Sequence, residues 1–136
     1  MNEKSKRVAI IGAGASGLPA LKTALEYSFN AVCFERSDDI GGLWRFKENP
    51  GPDEGTVMKS TVINTSKEMT AYSDFPPPAS AANYMHNRDM LAYLRAYAKH
   101  FCLIDRIRLR HTVRAVKRAE DFPTNGQWIV IYENLR

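Results

Sequence analysis

The sequence is poor in cysteine, in long apolar runs and in charge of one sign, and each shortage removes a class of protein. Its 136 residues hold two cysteines, Cys33 and Cys102, far apart and without a CxxC spacing. That pattern excludes a disulfide framework, a thioredoxin-like redox pair and a thiolate zinc site, so no metal centre is expected. Reduced thiols in a cytosol-facing protein are the plain reading. No stretch approaches the roughly 18 apolar residues of a membrane span. Lys4, Lys6 and Arg7, ahead of the apolar stretch from Val8 to Leu25, imitate a signal peptide, but three glycines, Pro19 and Lys22 interrupt it. The formal charge of +4 arises from basic residues scattered over several segments, which does not build a nucleic-acid interface. Internal repeats and low-complexity segments are missing too. The length suits one domain with a real core and is too short for two.

What is present begins with alternating strand and helix signals. Val8-Ala9-Ile10-Ile11 reads as a parallel strand covered on both faces, ending at Gly12. Leu18, Leu21, Ala24 and Leu25 then recur at helical spacing within a helix expected over Ala15 to Ser28. Pro19 fits there only near the first turn, where amide donors lack partners anyway. Ala31-Val32-Cys33-Phe34 reads as a second buried strand closing at Glu35, which completes a βαβ unit. Two loop-rich stretches follow, Ser37 to Pro52 and Ser73 to Asn83, and so much loop in a compact domain points to ligand binding. Asn87 is expected to cap a helix from Arg88 to about Phe101, with Met90, Leu91, Leu94, Tyr97, Ala98 and Phe101 on its apolar face. Arg106 to Val116 alternates as one half-exposed strand, its arginines read as solvated charges. Asp121 to Gly126 is a turn, and Gln127 to Glu133 the returning strand. The expected class is α/β and Rossmann-like: a βαβ start, a parallel sheet, a helical insertion and a β-hairpin. Two such strands and a hairpin do not complete a doubly wound sheet, so the chain reads as incomplete at its C-terminal end.

The glycine turn carries the chemistry. Gly12-Ala13-Gly14-Ala15-Ser16-Gly17 is a G-x-G-x-x-G between a strand and a helix, the context that the motif requires. Gly12 permits the tight turn, Gly14 leaves room for a pyrophosphate against the backbone, and Gly17 lets the helix lie close to the sheet. The helix start adds amide donors and a positive dipole end. Glu35 stands 23 positions after Gly12, where an acid holds adenosine ribose hydroxyls. A 2′-phosphate there would be repelled, so FAD or NAD fits this first fold and NADPH does not. Gly41-Gly42-Leu43-Trp44 comes next, an element that a plain NAD dehydrogenase does not need. Its plain alternative is a surface turn with Trp44 in the core.

Across these stretches the chain resembles the flavin-containing monooxygenases. VAIIGAGASGL at Val8 to Leu18, CFERSDDIGGLWRF at Cys33 to Phe46 and NTSKEM at Asn64 to Met69 carry the resemblance. YSDFPPP at Tyr72 to Pro78, NYMHN at Asn83 to Asn87 and DFPTNGQW at Asp121 to Trp128 extend it. The first stretch is common to many dinucleotide folds; GGLW and NTSKEM are more specific. The resemblance implies an FAD domain, of which residues 1–136 are a part, followed in the parent protein by an NADPH domain and a C-terminal part not in this chain. It implies NADPH- and O2-dependent oxygenation of nitrogen or sulfur in small lipophilic amines or sulfides, through a flavin C4a-hydroperoxide. It further implies that Gly12, Ala13, Gly14, Ala15, Ser16 and Gly17 hold the pyrophosphate, that Glu35 takes the ribose, and that Gly42, Leu43 and Trp44 lie near the flavin side of FAD. Asn64 would be the catalytic asparagine beside the flavin and the nicotinamide, flanked by backbone contacts from Ile63 and Thr65; from the residues alone it is a turn residue. A place on the cytosolic side of the endoplasmic reticulum, with membrane association only through the C-terminal part, is implied in the same way. The family's second glycine motif and its FxGxxxHxxxY signature have no counterpart in this sequence, so no turnover is expected from these residues alone. A Baeyer–Villiger or amine-oxidase type flavoenzyme stays open, as does a non-catalytic nucleotide-binding remnant.

Overall fold

The computed structural model describes residues 6–135, so Lys4 of the basic N-terminal stretch lies outside the described residues. The described chain forms two compact units, one from residues 6–40 with 105–135, the other Gly41–Ile104.

The first unit opens on strand β1 (Arg7–Ile11), helix α1 (Gly17–Glu26) and strand β2 (Asn30–Phe34). β1 and β2 pair in parallel with Val8 opposite Ala31 and Ile10 opposite Cys33. Helix α1 buries Leu18, Leu21 and Ala24, every third residue, which is why this stripe turns toward the sheet. Pro19 is the third residue of the helix, where its missing N–H costs no intrahelical bond. The helix is shorter than the expected Ala15 to Ser28. Ser28 takes a left-handed conformation, φ 59°, and lets Phe29 N–H reach the Ala24 carbonyl at 3.0 Å, which closes the last turn.

Two strand expectations need correction. β1 is not covered on both faces: its residues alternate between exposed and half-buried, and Ile11 is 57% exposed. It is the edge of a three-stranded sheet of order β1-β2-β3, whereas β2, in the centre, buries Ala31, Cys33 and Phe34. Nor is Arg106 to Val116 one strand. It divides into β3 (Ile107–Arg108), parallel to β2, and β4 (His111–Arg118), antiparallel to β5 (Trp128–Asn134). Arg110 makes the break, at φ 58°. Its N–H donates to Ser37 O and the next N–H, of His111, donates to Glu35 O, both at 2.8 Å, so the chain leaves the sheet at the end of β2. The β4–β5 connection is a helical turn, α4 (Phe122–Asn125), rather than a plain turn. The arginines are not all bare solvated charges. Arg114 pairs with Glu133 at 2.6 Å, and the Arg108 guanidinium lies 5.6 Å from the Phe34 ring centre.

The second unit enters the chain between β2 and β3. It contains helices α2 (Lys67–Thr70) and α3 (Asn87–His100) among irregular segments. The cap of α3 is His86, whose Nδ1 accepts from Arg88 N–H, and not Asn87 as expected. Asn87 is buried one place inside the helix and donates through Nδ2 to the carbonyls of Met58 and Lys59 at 2.9 and 3.0 Å. The buried face also includes Tyr93, absent from the expected set. Its hydroxyl accepts from Tyr72 N–H at 2.8 Å and donates to Phe75 O at 2.7 Å. Its ring centroid lies 5.7 Å from that of Tyr72 and 5.6 Å from that of Phe75, and those two rings pack in turn on Tyr97, at 4.5 and 5.6 Å. One phenol thus satisfies two backbone groups of the proline-rich loop and fixes that loop to α3.

A Cβ at position 17 would sit 2.9 Å from the Gly12 carbonyl carbon and overlap its oxygen. Gly17→Ala therefore costs about 3 kcal/mol or more, because backbone rather than a flexible side chain must move. Thermal unfolding followed by circular dichroism should show a large fall in Tm; an unchanged Tm would mean that α1 does not lie so close to β1. Tyr93→Phe should cost about 2 kcal/mol by leaving the Tyr72 donor and the Phe75 acceptor unpaired, read from the same melt.

Candidate functional site

In the first unit the fingerprint residues converge on one turn. Gly12 follows β1 at φ 89°, a conformation that L side chains rarely adopt, and among the described residues nothing lies within 4 Å of where its Cβ would be. Glycine is thus required at 12 for backbone conformation and at 17 for space. Gly12 N–H donates to Phe34 O at 2.8 Å, which seats the turn on the end of β2. Ala13 is fully buried; Gly14 and Ala15 are half-buried, and Ser16 is exposed at the cap position of α1. The Ser16 side chain makes no capping hydrogen bond, and the helix start carries the positive end of the helix dipole, which favours an anion.

Glu35 follows β2 and is 6% exposed. Its Oε2 accepts from Ala13 N–H at 2.7 Å; its Oε1 accepts from Ser37 N–H at 2.9 Å and from the Ser37 hydroxyl at 2.8 Å. The acid thus stands at the glycine turn, 22 residues from Ala13 in sequence but bonded to it. The glycine turn, the helix start and the buried acid at their flank fit the pyrophosphate and sugar of a dinucleotide. Ser37 escaped the sequence reading; a hydroxyl two residues after the acid was the signal. Cys33 also lies at this turn, its thiol donating to Gly12 O at 3.4 Å. Burial, and secondarily the Glu35 charge, push that thiol up from its ordinary range to about 12.

The remaining candidates belong to the second unit. Gly42, Leu43 and Trp44 form a 3-10 turn that leaves Gly42 and Leu43 exposed and Trp44 half-buried. Trp44 N–H donates to Gly41 O, and Leu43 O accepts from Val57 N–H at 2.9 Å. At Gly41, φ 111°, a Cβ would overlap Leu91 of α3. At that glycine the backbone conformation makes the first demand, and the Leu91 side chain adds to it. Ile63 is buried, and its N–H donates to Met85 O at 2.9 Å; Asn64 and Thr65 are exposed. Ser66 caps α2, and the Thr65 and Thr70 hydroxyls share a bond of 2.5 Å. Lys67 N–H donates to Asn83 O at 2.7 Å, and its ammonium donates to the carbonyls of Ala79 and Ala81 at 2.8 and 2.7 Å. The NTSKEM segment is thus anchored on both sides of Asn64, leaving that amide at the surface.

The model of the family described as flavin-binding monooxygenase-like matches residues 5–135. The chain belongs to that family. Flavin-containing monooxygenase 5 of Rattus norvegicus is 53% identical over 129 residues, which is 95% of this chain and 24% of the relative. The chain therefore spans about a quarter of the length of the curated relatives it matches. Among solved structures, S-allyl-L-cysteine S-oxygenase from Allium sativum superposes with a TM-score of 0.85 at 23% identity, covering 96% of this chain and 32% of that one. A steroid monooxygenase bound to NADP superposes at 0.78 and 23% identity, over 98% of this chain and 24% of that one. At such identity these superpositions speak for the fold, the βαβ start with its parallel sheet, helical insertion and hairpin.

The raised Cys33 pKa means that the folded state favours the protonated thiol. Its contribution to stability is complete below about pH 9 and is lost as pH rises from 9.0 toward 12. Iodoacetamide at pH 8 should label the exposed Cys102 and spare Cys33 in folded protein, and label both after denaturation. Peptide mass mapping checks this, and rapid native labelling of Cys33 would contradict the packing at the turn.

Proposed function

We propose that this chain is the FAD-binding portion of an NADPH- and O2-dependent flavin monooxygenase that oxygenates nitrogen or sulfur in small lipophilic amines and sulfides. The observation that carries the reading is the buried Glu35 carboxylate bonded to the glycine turn at 2.7 Å. In this reading Gly12, Ala13, Gly14, Ala15, Ser16 and Gly17 form the bed for the FAD pyrophosphate, with the start of α1 supplying amide donors. Glu35 accepts sugar hydroxyls and, by charge repulsion, turns away a sugar carrying a 2′-phosphate, so NADPH has its site elsewhere in the parent protein. FAD, when bound, supplies the redox and oxygen chemistry. Gly42, Leu43 and Trp44 contribute an aromatic and apolar surface for its flavin side. Asn64 offers a carboxamide donor and acceptor toward the flavin and the nicotinamide, with Ile63 and Thr65 beside it; the anchoring of its segment by Ser66 and Lys67 supports a fixed amide.

Family membership, with the chain spanning about a quarter of the length of a flavin-containing monooxygenase, supports reading this stretch as one part of such an enzyme. The S-oxygenase among the structural neighbours supports a soft nucleophile as substrate, and the NADP-bound neighbour supports the nicotinamide partner. In this reading the parent protein works at the cytosolic face of the endoplasmic reticulum and is anchored through a later segment, as the resemblance implies. No helix among the described residues is long and apolar enough to cross a membrane.

The complete protein, as purified, should show flavin absorbance and consume NADPH faster when an amine or sulfide is added. Gly14→Asp should abolish flavin retention, because a carboxylate would collide with the pyrophosphate and repel it. A yellow Gly14→Asp protein would rule out this turn as the cofactor bed.

A further inference from the structure

A carboxylate has about four acceptor positions. Three protein donors occupy those of Glu35 among the described residues: Ala13 N–H on Oε2, and both Ser37 N–H and the Ser37 hydroxyl on Oε1. Oε1 is therefore filled, and Oε2 keeps one position open. Ser37 lies outside the glycine fingerprint and has no assigned role. It is itself held firmly. Its carbonyl accepts from Arg110 N–H at 2.8 Å, and its hydroxyl oxygen lies 2.7 Å from Asp39 O as well as 2.8 Å from Oε1, so one proton is shared between two acceptors. Without such a hold, a carboxyl group turns readily about its terminal bond, a broad two-fold rotor, and offers a sugar no fixed acceptor.

We propose that Ser37 is a positioning residue for the adenosine sugar of the cofactor: it locks the Glu35 carboxylate so that Oε2 presents its remaining acceptor position beside Ala13. This rests on the dinucleotide reading given under Proposed function. The serine does not touch the sugar. It acts by removing the rotational freedom that Glu35 would otherwise lose on binding.

The test uses the complete protein, stripped of flavin and titrated with FAD and with FAD analogues lacking the 2′- or 3′-hydroxyl of the adenosine ribose, binding being read by flavin fluorescence. In the wild type at least one deoxy analogue should bind about tenfold more weakly than FAD. Ser37→Ala should weaken FAD about tenfold and shrink that deoxy penalty to less than threefold. Ser37→Thr, which keeps the hydroxyl, should restore both. A Ser37→Ala protein that keeps the full deoxy penalty and shows only a lower Tm overturns the proposal, since the serine is then merely structural. Tighter FAD binding by Ser37→Ala also overturns it, since the hydroxyl then competes with the sugar. Should the alanine variant not fold, Ser37→Cys, a weaker donor, must give an intermediate deoxy penalty; a penalty equal to the wild type's sinks the idea. Wild-type protein that binds no FAD would instead bring down the underlying reading, whereas FAD binding with no deoxy penalty in any variant brings down the sugar contact of Glu35 and with it the role of Ser37, leaving the FAD reading in place.

Discussion

The hydrogen bond from Ala13 N–H to Glu35 Oε2 ties the turn after β1 to the end of β2, and much of the first unit depends on that tie. The βαβ connection must bring the two strand ends level before the bond can form, and the parallel register with Ile11 opposite Phe34 does this. The turn can then close only because position 12 accepts a positive φ and position 17 has no side chain. A buried acid left without donors would cost several kcal/mol. Here three donors meet it, and Cys33 beneath the turn stays a protonated thiol. Stability and, in the proposed reading, the recognition of a sugar diol use the same atoms.

The second unit solves a different problem, how to hold long irregular segments still. Loops carry backbone groups that need partners, and this unit supplies them from single side chains that serve two groups each. Tyr93 satisfies Tyr72 N–H and Phe75 O, Lys67 satisfies Ala79 O and Ala81 O, and Asn87 satisfies Met58 O and Lys59 O. Burial raises the pKa of Tyr93 above the ordinary phenol range, which keeps that donor protonated. A site built on loops gains fixed geometry from such bidentate ties without regular secondary structure.

The glycine fingerprint, the acid that follows β2 and the α/β class were legible in the sequence because each depends on local spacing. A turn of that shape admits few residue types, so its glycines are visible without knowledge of the fold. Helix α3 was legible for the same reason, through the period of its apolar residues. Its cap was displaced by one place, because Asn87 finds carbonyl partners 28 and 29 residues away that no local pattern reports.

What only the tertiary structure decided are the features that depend on distant partners. The alternation from Arg106 to Val116 looks continuous, yet the chain breaks at Arg110 because its amide and that of His111 are taken by carbonyls at the end of β2. β1 reads as a fully covered strand, yet in this chain it has one neighbour strand and keeps Ile11 at the surface. Tyr93 stood outside the expected apolar face of α3 until a contact with Phe75, 18 residues away, gave it a specific task. Residue spacing along the chain thus determined the turn chemistry and the class of fold. Hydrogen-bond partners far apart in sequence decided where strands end and which side chains are held, since backbone donors and acceptors must be satisfied wherever the folded chain brings them.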